Sequence, residues 1–272
     1  MAIALTAGMR SNLIALQNVD SLMQTTQNRL STGKKVNSAL DDPVNFFKAE
    51  DHYNRASDLA AKKDGMNEAI KTIEAANTGI EEIENLLAQM KSLASAAKTS
   101  DNTGDLSDQY DLLISQVYYM AQDSNYGGQN LLDSDSLSVE FNEDGSNTLS
   151  VSGFGVAANG TITSSGGTTT ALSASDFANN TTVEASISEI DAAISMLRTE
   201  SQKLSSSLST IQIRADFTTE MENTLNTGAD GLTLADMNEE GANMLMLQTR
   251  QNLGTTSLSL ASQAAQAVLQ LF

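Results

Sequence analysis

The chain contains no cysteine and no tryptophan, a single proline, a single histidine and few aromatic side chains, 4 % of its 272 residues. Without cysteine there is no disulfide, no thiolate nucleophile and no Cys-ligated zinc. The lone His52, in AEDHYNRA, excludes H-E-x-x-H and any zinc site built on two histidines. A Ser-His-Asp triad would have to use His52 itself, and no G-x-S-x-G elbow accompanies it, so it reads as a helix-side histidine. Neither G-x-x-x-x-G-K-[ST] nor G-x-G-x-x-G occurs, which leaves nucleotide binding unsupported. Basic residues are also scarce: 15 Lys+Arg against 34 Asp+Glu, a net charge of −19. Phosphate neutralisation needs clustered Lys and Arg, which argues against nucleic acid as a partner. The acid excess instead favours solubility and repulsion between free copies. IEEIENLL (80–87) reads as a solvated helix face, and LDSDSLSVE (132–140) lacks the Gly and the closing Glu of a calcium loop. No enzyme, cofactor or metal site is expected.

Charge is missing altogether from residues 253–272, LGTTSLSLASQAAQAVLQLF. A membrane span needs about 20 predominantly apolar residues. Here Thr255, Thr256, Ser257, Ser259, Ser262, Gln263, Gln266 and Gln270 make insertion into lipid costly. The segment is expected to end up against another protein surface. At the other end, MAIALTAGMR lacks a basic n-region, so export would proceed without a cleaved Sec signal.

What the chain does have is seven-residue apolar periodicity, which predicts helices packed along shared seams. Met9, Leu16, Met23 and Leu30 form one row, with Val19 offset by three. Met66, Ile73, Ile80, Leu87 and Ala94 form a second row, flanked by Ala69, Ala76, Ile83, Met90 and Ala97. A shorter stretch carries Leu106, Tyr110, Leu113, Val117 and Met120. The longest runs from Val183 through Ile190, Leu197, Leu204, Ile211 and Thr218 to Leu225 without Pro or Gly. As a helix it would be roughly 65 Å long. Asp42 followed by Pro43 reads as an N-cap and first helical residue. The fold class is therefore mainly α: a long antiparallel helical rod with paired terminal helices and a small β-hairpin region. That region is 133–182, rich in Ser, Thr, Gly and Asn, where LSVEF and TLSVSGF alternate as strands do.

The last stretch differs from the others. Met246, Leu253, Leu260 and Ala267 lie seven apart, and Leu258, Ala261, Ala265, Val268 and Phe272 add a second apolar set. A helix apolar on several sides belongs inside something larger. Packing against the N-terminal helix would leave one side uncovered.

RLSTGKKVNSALDDP (29–43) resembles the N-terminal motif of bacterial flagellins, through Leu30, Ser31, Gly33, Lys35, Val36, Asn37, Ala39, Asp41 and Asp42. ASQAAQAVLQLF resembles the family's C-terminal ending, through Ala261, Gln263, Val268, Leu269, Leu271 and Phe272, and NYGGQNLLD (125–133) looks like its asparagine-rich turn. The resemblance implies a filament subunit of the bacterial flagellum, secreted unfolded through the type III apparatus. Its partners would be copies of itself, the export apparatus and chaperone, and the filament cap and junction proteins. Residues 1–43 with 231–272 would form an inner coiled coil, disordered in the free subunit. Residues 44–230 would form the next shell, with 133–182 a short variable region. Met9, Leu16, Val19, Met23, Leu30, Met246, Leu253, Leu260, Ala264, Val268, Leu271 and Phe272 would then carry assembly. Two departures stand out. Pro43 occupies a position where many flagellins have Ala and where the hook–filament junction proteins often have Pro, which keeps a junction protein as the alternative. Gln89 aligns where enteric flagellins present an Arg to a host innate immune receptor, so recognition there should be weak or absent.

Overall fold

A computed structural model describes residues 7–173 and 177–269, without the side chains of residues 265, 268 and 269. The described residues form five helices, α1 (Ala7–Thr32), α2 (Pro43–Ala97), α3 (Thr103–Asp123), α4 (Asn180–Thr233) and α5 (Met237–Leu269). Between α3 and α4 lie five short strands, β1 (Ser136–Glu140), β2 (Thr148–Ser152), β3 (Gly155–Val156), β4 (Thr161–Thr163) and β5 (Thr169–Ala171). The chain divides into two compact units, residues 1–54 with 224–272, and residues 55–223. The sequence places the change at 43/44 and 230/231; by contact the units divide at 54/55, within α2, and at 223/224, within α4.

In the unit 55–223 the apolar rows of α2 and α4 make the core. Met66, Ile73, Ile80, Leu87 and Ala94 are buried, as are Ala69, Ala76, Ile83, Met90 and Ala97 beside them. Val183, Ile190, Leu197, Leu204 and Ile211 of α4 join the same cluster. Alanines alternate with Ile, Leu and Met along these rows, and such small residues let long helices approach with few large rings. The inner face of α3 runs through Tyr110, Ile114, Val117 and Ala121. Leu106, Leu113 and Met120, which share the sequence periodicity, flank this face half-buried. The reason is the helical repeat: positions i, i+4, i+7 and i+11 stay on one side, and the flanking apolar residues cover its edge.

The segment 133–182 contains two small sheets. β1 pairs with β2 antiparallel, Ser136 opposite Ser152 and Val139 opposite Leu149. β3, β4 and β5 follow in order, also antiparallel. Alternation points Val139 and Val151 inward and leaves the serines outside. The β1–β2 hairpin is held from the helices by ion pairs of Lys62 with Glu140 and of Arg55 with Glu143, and by the Arg214 guanidinium over the Phe141 ring. The turn 125–133 is organised by buried Asn130. Its Nδ2 donates to the carbonyls of Ala121 (2.8 Å) and Gln122 (3.1 Å), satisfying the end of α3, and its Oδ1 accepts from Leu132 N (2.9 Å).

Candidate functional site

The unit made of residues 1–54 and 224–272 holds the residues singled out from the two ends of the sequence. α5 starts at an Asp236 cap: its Oδ1 accepts from Asn238 N (2.8 Å) and Glu239 N (3.2 Å), and Glu239 and Glu240 sit in the first turn, where the helix dipole favours them. The reading of the sequence missed this cap, although Asp-x-x-Glu at 236–239 is a recognisable start signal.

α5 lies antiparallel along α1. Asn12 Nδ2 donates to Ser257 Oγ near one end, and Arg29 Nη1 bonds Glu240 Oε1 at 2.9 Å near the other. Glu240 is buried, and its charge is compensated by the half-exposed guanidinium. At the middle of the seam Gly254 admits Leu16: a Cβ on that glycine would lie 2.7 Å from Leu16 Cδ2. Met9, Thr26 and Leu247 are buried in the seam, and Leu16, Val19, Met23 and Leu30 are half-buried. The row Met246, Leu253 and Leu260 lies largely outside this seam, with Met246 at its edge in a groove beside Leu22. These residues are 45, 66 and 61 % exposed. Ala264 is exposed too. Leu245 adds to this uncovered side of α5, and Leu13, Ile14 and Leu22 are uncovered on α1. Side chain Val268, and residues Leu271 and Phe272, lie outside the described residues.

The motif at 30–42 joins the ends of helices. Gly33 has a φ of +71°, the left-handed conformation that ends a helix, and its N donates to Arg29 O at 2.8 Å. The next residues dock on the α4–α5 connection: Lys35 N (2.7 Å) and Val36 N (3.2 Å) donate to Thr233 O, and Ala235 N donates to Gly33 O (2.9 Å). Val36 is buried there, Asn37 Nδ2 donates to Thr32 Oγ1 (3.0 Å), Ala39 and Leu30 are half-buried, and Ser31 is exposed. Asp41 Oδ2 accepts from Asn37 N and Ser38 N, both at 3.0 Å. Asp42 Oδ1 caps α2, accepting from Val44 N and Asn45 N at 3.1 Å, with Pro43 as first helical residue. These groups hold backbone. His52 is half-buried on α2, beside Gly228. Gln89 is exposed on α2 in the other unit, lining a shallow groove with Ser92, Leu93, Gln109, Leu112 and Leu113.

The turn makes its own pH prediction. Backbone N–H donors, from Asn37 and then Ser38, hold the Asp41 carboxyl below its ordinary 3.8, and those of Asn45 foremost do so for Asp42. A carboxyl lowered by folding contributes stability that is complete above its unfolded value and lost as pH falls through its folded one. Amides 37, 38, 44 and 45 should therefore stay protected in hydrogen exchange down to about pH 4 and lose protection below it. Asp41→Asn and Asp42→Ala should remove that acid transition.

Among the described residues no group of three or more Asp, Glu or His is placed to hold a metal ion, and no helix is long and apolar enough to cross a membrane.

Comparison with known proteins finds relatives of this sequence. The family model for the bacterial flagellin N-terminal helical region matches residues 5–136, and that for the C-terminal helical region matches 180–272. Two Caulobacter vibrioides proteins, flagellin FljM and flagellin FljO, are 30 and 32 % identical, each aligned over 96 % of this chain and 95 % of its own. A flagellin of Brucella melitensis is 25 % identical over 96 % of both chains. Nothing in these matches supports the junction-protein alternative.

Proposed function

Because this chain belongs to the bacterial flagellin family, we propose that the uncovered rows of α1 and α5 are the surfaces through which copies of it join. The chain is a structural subunit of the flagellar filament. The observation that carries the proposal is the side of α5 bearing Met246, Leu253 and Leu260, which α1 does not cover. Together with Leu13, Ile14 and Leu22 it gives the paired helices apolar flanks left exposed among the described residues. Burying those flanks in neighbouring copies drives assembly. Heterologous contacts of this kind propagate because they do not close into a ring.

The finer assignments follow the same reading. The terminal helices line the inside of the filament, and the helices of 44–230 form the shell around them, with 133–182 the small variable part. The subunit is exported unfolded by the flagellar type III apparatus with a chaperone, and it meets junction proteins at the base and a cap at the tip. Incubating the purified chain with filament seeds tests this: continuous elongation supports a propagating subunit, and addition of a single layer contradicts it.

Gln89 brings a neutral amide, with no guanidinium, to the exposed face of α2. An Arg fork makes charge-assisted, bidentate bonds that an amide cannot. The purified monomer should therefore activate the host innate immune receptor weakly or not at all in a reporter-cell assay, and Gln89→Arg should raise the response.

A further inference from the structure

We propose that Met246 is an oxidation site that decides whether a subunit can be incorporated; the proposal rests on the filament reading above. Met237 and Met246 are the exposed methionines among the described residues, whereas Met66 and Met90 are fully buried. Met246 alone of the exposed pair shares the row of Leu253 and Leu260. Its side chain also lines a groove between α1 and α5, together with Leu22, Leu247, Arg29, Glu240 and Arg250. The thioether thus combines access for a small oxidant with a position on the surface that assembly must dry.

The reaction is transfer of one oxygen atom from a peroxide. The O–O bond breaks, an S=O bond forms, the sulfur loses two electrons and the peroxide leaves as water or an alcohol. The product is a polar, chiral sulfoxide in place of a flexible apolar thioether. In the free subunit the new oxygen is solvated, because Met246 is exposed. In the filament it would have to be buried against another copy's apolar side chains, where an unpaired acceptor is costly. Oxidation therefore leaves the subunit folded and excludes it from the polymer, and methionine sulfoxide reductases restore it.

The test uses the full chain. Limited treatment of the monomer with hydrogen peroxide, to below one oxygen per molecule, is followed by peptide mass spectrometry. Met246 should gain oxygen at least about tenfold faster than Met66 and Met90, since susceptibility follows exposure. The mixed pool is then elongated on seeds and pelleted. Met246 sulfoxide should be depleted in the pellet, relative to the supernatant, by about tenfold or more. Equal oxidation rates, or equal sulfoxide fractions in pellet and supernatant, would overturn the proposal while leaving the filament reading intact. Failure of the untreated chain to elongate would overturn the filament reading, and this one with it.

Discussion

A chain lacking residues 253–272 forms no filaments, while its unit 55–223 unfolds at the temperature seen in the full chain. The first half of that expectation comes from what the deletion removes. Leu253 and Leu260 go from the uncovered side of α5, and Leu258, Gly254 and Ser257 go from the seam that receives Leu16 and Asn12. Burying a leucine side chain is worth about 1.5–3 kcal/mol, so loss of the two on the uncovered side leaves a deficit of about 3–6 kcal/mol at each subunit addition. That raises the critical concentration by about a hundredfold or more. The intact terminal helices can meet the cost of ordering and association because apolar burial yields about 25 kcal/mol per thousand Å². The second half follows from the core, whose buried cluster runs from Met66 to Ala215 and takes no member from α5. Electron microscopy of the concentrated deletion variant, with a calorimetric scan beside it, checks both halves. Normal filaments from the truncated chain would remove the assembly mechanism.

Gly153→Val lowers the melting temperature of the unit 55–223 by roughly 5–10 °C, corresponding to a loss of about 2–3 kcal/mol. Gly153 follows β2 and is clasped by backbone on both sides: its N donates to Asp135 O at 2.8 Å, and Phe154 N donates to Leu131 O at 2.8 Å. A Cβ there would lie 2.5 Å from Asp135 O and 2.8 Å from Leu131 Cα. Backbone cannot swing aside as a side-chain tip can, so a larger residue displaces the turn. That turn also positions Phe154, one of the largest fully buried side chains. The effect separates two readings of the Ser/Thr/Gly-rich stretch: in a flexible linker the substitution would cost nothing, and in a folded cap on the helices it costs a measurable part of the stability.

Long, uninterrupted periodicity was the most legible feature. Every member of the rows Met66–Ala94 and Ala69–Ala97 lies in the core, because many consecutive turns of helix repeat the same choice of face. α3 was less legible: with Leu106, Leu113 and Met120 beside Ile114 and Ala121, a short helix offers two adjacent apolar faces, and packing chooses between them. The terminal helices pose the same problem more severely. α5 is apolar on several sides, so its periodicity could not say that Leu247 and Gly254 meet α1 while Leu253 and Leu260 stay exposed. Buried carboxylates were not legible at all. Glu240 pairs with Arg29 across 211 residues of sequence, and Glu200, besides its helix neighbour Lys203, accepts from Ser165 at 2.7 Å. No local pattern marks a partner that tertiary structure alone brings near. The motif at 30–42 was legible as a motif, but its physical role was not: its groups tie the α1–α2 connection to the α4–α5 connection by hydrogen bonds that require both ends of the chain.

The central claim is that the uncovered flanks of α1 and α5 become covered when copies assemble. Hydrogen–deuterium exchange on the same preparation, as monomer and after elongation on seeds, measures this most directly. The account predicts that amides across residues 7–32 and 237–269 exchange quickly in the monomer and become strongly protected in the assembled form, whereas those of 66–97 are protected in both. Equal protection of the terminal helices in the two states, or their full protection in a lone monomer that never elongates, would contradict it.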